Sequence, residues 1–104
     1  MTEATRLRAQ LQGDRALVRL RMSHEMESGQ RKDSAGKTIP AWYIQEASVL
    51  LNGQVVLRGQ LGTAVSKNPY LQFQLKGVKA GDTLSVTWQD NRGQHRRDDT
   101  VVTP

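Results

Sequence analysis

Most of this chain alternates apolar and polar residues with a period of two, and this pattern constrains its fold more than any other feature. Between positions 15 and 22, for example, Ala16, Val18 and Leu20 are separated by mostly basic residues. Such alternation is typical of strands that place one face on a core, and runs with helical spacing are lacking. Stretches of this kind occur at 6–11, 15–22, 41–51, 55–61, 71–76, 83–88 and 94–102. We therefore predict an all-β fold, an immunoglobulin-like β-sandwich of about seven antiparallel strands that occupies residues 1–104 as a single domain.

Short turn signals separate the predicted strands. Gly13-Asp14 predicts a hairpin between the first two stretches. Asn52-Gly53 accepts the positive φ angles that a two-residue type I′ turn requires, so it predicts a second hairpin. The apolar residues of the third stretch change phase along its length, which predicts a bulge near Gln45-Glu46. Residues 23–40 are polar and rich in Gly and Ser, which predicts a long loop of the kind that often carries function.

The residue types that most catalytic and metal sites need are scarce. The chain has no cysteine, and its two histidines, His24 and His95, lie far apart in the sequence. This composition excludes thiol nucleophiles, iron–sulfur clusters and Cys-based zinc sites, and it disfavours a multi-histidine metal centre. Asp98 and Asp99 are consecutive strand residues that point to opposite faces, so they cannot form a catalytic carboxylate pair without a bulge. We predict that the protein is not an enzyme and holds no cofactor or metal.

The charge balance favours an acidic partner. Fifteen Lys and Arg against ten Asp and Glu give a formal net charge of +5, which attracts an acidic protein, an anionic ligand or nucleic acid. Arginines recur at alternate positions of the first two stretches, a pattern typical of a solvated strand face or of a polyanion site. A nucleic-acid-binding module is the alternative function, although the sequence lacks a run of aromatics interleaved with Lys and Arg. No signal peptide and no stretch of about 18 apolar residues occurs, so we expect no membrane span.

A partner-binding surface is the functional feature that the residues favour. Trp42 and Tyr43 are neighbours on a predicted strand and should face opposite sides, so either can anchor a partner. The alternative is that one ring fills the core and the other covers an edge. Residues 65–70 place a proline among polar groups just before a strand, which fits a contact loop and a plain turn equally well. The predicted partner-binding residues are His24, Met26, Trp42, Tyr43, Lys67, Asn68, Pro69 and Tyr70.

Four segments of the sequence are distinctive when taken together and in order: 22–33, 36–41, 65–73, and 80–82 continuing through 88–91. In combination they resemble the SoxZ family. The likeness covers nearly the whole chain, and the combination of segments is far more specific than any one of them.

This resemblance implies a subunit of the SoxYZ carrier complex of bacterial thiosulfate oxidation, in which sulfur is attached to a cysteine of SoxY. A cysteine-free chain would then be the scaffold that forms a heterodimer with SoxY. The resemblance also implies an immunoglobulin-like sandwich without a cofactor, indirect contact with SoxAX, SoxB and SoxCD, and a periplasmic location reached by co-export with SoxY. Because a surface built for a permanent partner tends to be apolar, we expect the isolated chain to form a homo-oligomer.

Overall fold

The computed structural model describes residues 2–104, which form two β-sheets and contain no helix. Both sheets are antiparallel, so the predicted seven-stranded all-β sandwich is confirmed. Among the described residues, no helix is long and apolar enough to cross a membrane. The strands are β1 (Arg6–Gln12), β2 (Arg15–Arg21), β3 (Ile44–Leu51), β4 (Gln54–Gln60), β5 (Tyr70–Lys76), β6 (Thr83–Asp90) and β7 (His95–Val101).

The three-stranded sheet has the order β1-β2-β5 and follows the predicted alternation. In β2, Ala16, Val18 and Leu20 point into the sandwich and are buried, whereas Arg19 and Arg21 point outward and are exposed. The pleat of a strand sends successive side chains to opposite faces, so this sheet has one apolar and one basic surface.

The predicted turns and the predicted bulge are confirmed. Asn52 and Gly53 have φ angles of 49° and 84°, the positive values of a type I′ turn, and they join β3 to β4. Gly13, with a φ of 67°, lies in the turn between β1 and β2. The pairing of β3 with β6 shifts in register between Ile44 and Glu46, where the apolar phase of the sequence changes.

The third strand begins later than predicted. We expected a strand over 41–51, but β3 begins at Ile44. Trp42 instead exchanges two backbone hydrogen bonds with Glu27, with N···O distances of 2.6 and 3.0 Å. The backbone N–H and C=O groups of Trp42 are thus bonded to the loop and not to a neighbouring strand. For this reason β3 begins only after Trp42. Trp42 and Tyr43 therefore lie at the junction between the long loop and β3.

The four-stranded sheet has the order β4-β3-β6-β7 and packs its inner face on the other sheet. The core between the two sheets is continuous, and Trp88 of β6 is its largest side chain. Its members are Ala9, Ala16, Val18, Leu20, Met22, Met26, Ile44, Ala47, Val49, Val78, Leu84, Val86, Trp88 and Val102.

One side of the sandwich is closed and the other is open. On the closed side, the Thr103 amide donates to Ala9 O at 3.0 Å and the Leu11 amide donates to Thr103 O at 2.9 Å, so the chain end covers the edge of β1. On the open side, β4 pairs only with β3, and β5 pairs only with β2. In the constant-type immunoglobulin sandwich the fourth strand lies beside the fifth. Here it has joined the opposite sheet, which leaves β5 with a free edge.

The predicted long loop is confirmed and extends over residues 22–43, between β2 and β3. It carries only isolated bridges, such as the pairing of Lys32 with Thr38. A loop of this length needs anchors to take up one conformation.

Candidate partner-binding site

A buried carboxylate anchors the long loop to β6. His24 Nε2 donates to Asp90 Oδ2 at 3.0 Å, and Trp42 Nε1 donates to the same oxygen at 2.8 Å. The other oxygen, Oδ1, accepts from the amides of Arg92 and Gln94, each at 2.9 Å. Asp90 is 1% exposed, so these four donors replace the water that the carboxylate loses on folding.

The network fixes the proton positions around His24. The Met26 amide donates to His24 Nδ1 at 3.1 Å, so Nδ1 is the acceptor nitrogen and Nε2 carries the hydrogen. Burial raises the pKa of the Asp90 carboxyl, but hydrogen bonds from His24, Trp42 and the two backbone amides outweigh burial and lower this pKa below its ordinary value of 3.8. The Asp90 carboxylate therefore accepts from His24 Nε2–H, while His24 Nδ1 accepts from the loop backbone.

Aromatic contacts surround this pair. The His24 ring meets Trp42 and Trp88 edge to face, with centroid distances of 5.0 and 5.4 Å. The Arg92 guanidinium lies over the Trp42 ring, 4.2 Å from its centroid, a distance suited to a cation–π contact. Met26 is also buried, and its sulfur accepts from the Ile44 amide at 3.3 Å. His24, Met26 and Trp42 thus have structural contacts that hold the loop in place.

A second set of bonds joins the long loop to the segment before β5. Asn68 has a φ of 54°, and its side chain accepts from the His24 amide at 3.0 Å while its own amide donates to His24 O at 2.9 Å. Lys67 Nζ lies 3.4 Å from Glu25 Oε2. The Met22 amide donates to Pro69 O at 2.9 Å. These bonds attach residues 67–69 to the part of the long loop that the His24 network holds in place.

An apolar cleft of about 630 Å³ opens between β4 and β5. Leu57 of β4 pairs with the buried Val49, and Leu71 of β5 pairs with the buried Leu20, so both leucines lie on the inner faces of their sheets. Each is nevertheless 41% exposed, because no strand bridges the two edges. We call this feature the edge cleft. Its other lining residues include Met22, Leu61, Val65, Lys67, Asn68, Pro69, Tyr70 and Val86.

The structure distributes the eight predicted partner-binding residues over three places. Four of them line the edge cleft: Lys67, Asn68, Pro69 and Tyr70. His24, Met26 and Trp42 form the anchor of the loop, where His24 and Trp42 also line a smaller polar pocket of about 280 Å³. Tyr43 is half-buried and lies in a separate groove beside Gln45 and Gln89.

Sequence reasoning missed the leucines of the edge cleft. The alternating pattern predicts Leu57 and Leu71 as ordinary core-facing residues of their strands. The neighbouring sequence gives no sign that these strands have free edges. One available signal was the apolar run Val55, Val56 and Leu57, in which all three side chains are more than 40% exposed. Alternation alone predicts that one face of such a strand is polar, so an unbroken apolar run in a short strand indicates a contact surface.

The prediction that Asp98 and Asp99 point to opposite faces of their strand agrees with their contacts. Asp98 accepts from Arg96 at 2.7 and 2.9 Å, whereas Asp99 accepts from Arg97 at 3.2 Å on the other face of β7. Each carboxylate thus pairs with its own arginine two residues away. Within residues 2–104 no group of three or more His, Asp or Glu side chains is placed to hold a metal ion.

Comparison with known protein families shows the family of this chain. The family model described as sulphur oxidation protein SoxZ matches residues 5–101. The chain belongs to the SoxZ family. This SoxZ-family chain therefore takes part in sulfur oxidation within a Sox system, and the match includes both the edge cleft and the His24–Asp90 anchor. A search of curated proteins finds no match.

Proposed function

We propose that this chain is the non-catalytic scaffold subunit of a sulfur-compound carrier and forms a lasting heterodimer with a SoxY-type subunit. Membership of the SoxZ family supports this role. The sequence has no cysteine, so this chain has no thiol to which a sulfur intermediate could be attached. The sulfur-bearing thiol then belongs to the partner, and this chain holds the partner in place.

The edge cleft is the proposed interface. Lasting heterodimers bury surfaces with apolar centres and polar rims. The floor of the edge cleft is formed by buried core residues such as Leu20 and Val86, while Lys67 and Asn68 lie at its rim. The observation that carries this assignment is the 41% exposure of both Leu57 and Leu71 on the inner faces of their sheets.

The form of the cleft favours an extended partner segment. The outer edge of β5 leaves its backbone N–H and C=O groups free, and an added strand would pair with them. Alternate side chains of that strand would enter the cleft and cover Leu57 and Leu71. The loop anchored through His24 and Asp90 keeps residues 67–69 in one conformation, so little conformational entropy is lost on binding.

We further propose that the heterodimer works in the periplasm, which the chain reaches by co-export with its partner. In this scheme SoxAX, SoxB and SoxCD act on sulfur held by the partner, and this chain meets them only as part of the carrier. Cell fractionation tests the location. The chain should appear in the periplasm when the partner carries its export signal and remain in the cytoplasm when that signal is deleted.

One substitution pair tests the interface. Leu71→Glu places a charge at the mouth of the edge cleft, and the dissociation constant for the SoxY-type subunit should rise about a hundredfold or more. Val101→Glu is the matched control, because Val101 is an apolar strand residue that is 54% exposed and does not line the cleft. Isothermal titration calorimetry gives both constants. Equal binding by the two variants, with both folded, would place the partner elsewhere.

A further inference from the structure

Six cationic side chains share the outer surface of the three-stranded sheet. The strand register places Arg6 beside Arg21, and Arg8 beside Arg19, on β1 and β2. Arg15 of β2 lies beside Lys76 of β5. All six side chains are exposed on the surface that points away from the core. We call this surface the basic face, and its residues are Arg6, Arg8, Arg15, Arg19, Arg21 and Lys76.

The basic face accounts for the whole net charge of the chain. The three strands contain no Asp or Glu. The rest of the sequence has nine Lys and Arg against ten Asp and Glu, so without this face the formal charge would change from +5 to −1. The positive charge is therefore concentrated on one sheet surface and not spread over the molecule.

These charges oppose one another across the strands, which costs stability. Like charges at directly opposite positions of an antiparallel pair repel, and three such pairs occur on this face. The nearest acidic partner is Asp14 in the β1–β2 turn, with Oδ1 3.9 Å from Arg15 Nε. In residues 2–104, none of the other five cations forms an ion pair. In the other sheet, by contrast, Arg58, Arg96 and Arg97 each have a carboxylate partner.

We propose that the basic face is a docking surface for the acidic face of a second protein partner, separate from the partner in the edge cleft. Five of its six cations are arginines, whose planar guanidinium groups bind carboxylates through paired hydrogen bonds. Seven-residue strands give a surface about 20 Å long, and three strands span about 10 Å between the outer strand axes. A charged patch of this size suits a brief encounter in which charge guides the approach.

The composition of the face favours an acidic protein over nucleic acid. Sheets that bind single strands use several exposed aromatic rings on which bases stack. Tyr70 is the only aromatic among the outward residues of β1, β2 and β5, and it lies at the end of the sheet under Arg21, whose guanidinium carbon is 5.5 Å from its ring centroid.

The two surfaces can be occupied together. Leu71 points into the edge cleft and Gln72 points to the basic face, because successive residues of β5 face opposite sides. Tyr70, at the start of β5, borders both surfaces. A strand added to the edge of β5 would leave the outer surface of the sheet open. The proposal therefore does not rest on the heterodimer, and either surface can fail its test without the other.

Binding of fluorescein-labelled poly-L-glutamate to the full chain, followed by fluorescence anisotropy at low ionic strength, tests the proposal. The variant Arg8→Gln/Arg19→Gln removes the central pair of the face and should weaken binding about tenfold. The matched control is Arg58→Gln/Arg97→Gln, which removes the same number of charges from the other sheet and should change binding less than about twofold. About 0.3 M salt should abolish the difference.

Each other outcome contradicts the proposal. Equal losses in the two double variants would mean that only net charge matters and that no docking face exists. A single-stranded oligonucleotide of the same charge is compared directly in the same assay. Tighter binding of that oligonucleotide through Arg8 and Arg19 would assign the face to nucleic acid and overturn the choice of an acidic protein. Melting curves of both variants establish that they are folded.

Discussion

The indole of Trp42 and the imidazole of His24 share one acceptor, since both rings donate to Asp90 Oδ2, and they meet edge to face at 5.0 Å. Both donors come from the long loop, and the acceptor ends β6. This single oxygen therefore fixes the beginning and the end of the loop on the sandwich.

Replacing the acceptor should weaken the fold. Asp90→Asn puts an amide nitrogen where two N–H donors converge, so at least one pair of donors loses its acceptor, and we expect a loss of about 2–3 kcal/mol in the free energy of unfolding. Urea denaturation of the natural sequence and of the variant measures this difference in the free energy of unfolding. Asp99→Asn is the control, because Asp99 is exposed and its ion-pair partner, Arg97, is exposed as well. A loss no greater than that of the control would show that the anchor contributes little.

The same carboxylate should make stability depend on pH in acid. The pKa of Asp90 is lower in the folded protein than its ordinary value of 3.8, so the unfolded chain takes up the proton first. The stabilisation is fully present above about pH 4 and decreases as pH falls through the folded-state pKa. Unfolding titrations between about pH 2 and pH 6 should show a flatter profile for Asp90→Asn than for the natural sequence. Parallel profiles would assign the acid dependence to other carboxylates, such as Asp98 beside Arg96.

The apolar edge strand should make the isolated chain self-associate. Val55, Val56 and Leu57 of β4 are 48%, 42% and 41% exposed, and an apolar edge strand invites pairing with a second copy. Sedimentation velocity should show a concentration-dependent oligomer, and Val56→Lys should shift it towards monomer. Val101→Lys, on a strand at the other side of the sandwich, should leave the oligomer unchanged. A monomer at high concentration in the natural sequence contradicts this expectation.

Relief of repulsion on the basic face should raise stability. Arg19 lies directly opposite Arg8, and Arg19→Gln removes one like-charge pair, so Tm should rise by about 1–4 °C at low salt. The gain should vanish in about 1 M salt. Arg97→Gln, which removes a cation already paired with Asp99, should give no gain. An unchanged or lowered Tm for Arg19→Gln at low salt would mean that the pair does not repel.

The predicted residues at the cleft rim can be tested directly. Tyr70 is 50% exposed, so Tyr70→Ala should lower affinity for the SoxY-type subunit about tenfold while the protein still folds. Lys67→Glu reverses a rim charge and should slow association. Surface plasmon resonance separates the two effects. Normal melting together with unchanged affinity in both variants would remove residues 67–70 from the interface.

Local sequence signals were sufficient for the seven strands and their turns, except that β3 begins at Ile44 and not at position 41. Period-two alternation predicts each strand, and Asn52-Gly53 predicts its turn, because both effects depend on neighbouring residues. The anchor was not predictable in this way, since His24 and Asp90 are 66 positions apart and their contact depends on the assembled sandwich. The edge cleft depends on which sheet β4 joins, and the pattern of β4 fits either sheet. The sequence showed the basic face only in part. Arginines alternate along β1 and β2, but they form one surface only when β1, β2 and β5 become neighbours in the sheet.

The seven residues of strand β5 contribute to both the edge cleft and the basic face. This restricts where insertions and deletions can occur in the sequence. Deleting one residue inside β5 would turn Leu71, Phe73 or Leu75 to the solvent and bring polar side chains into the core. The preceding segment, 62–69, can absorb added residues away from its anchored end. Insertions and deletions tolerated in the SoxZ family should therefore concentrate in that segment and spare the strand.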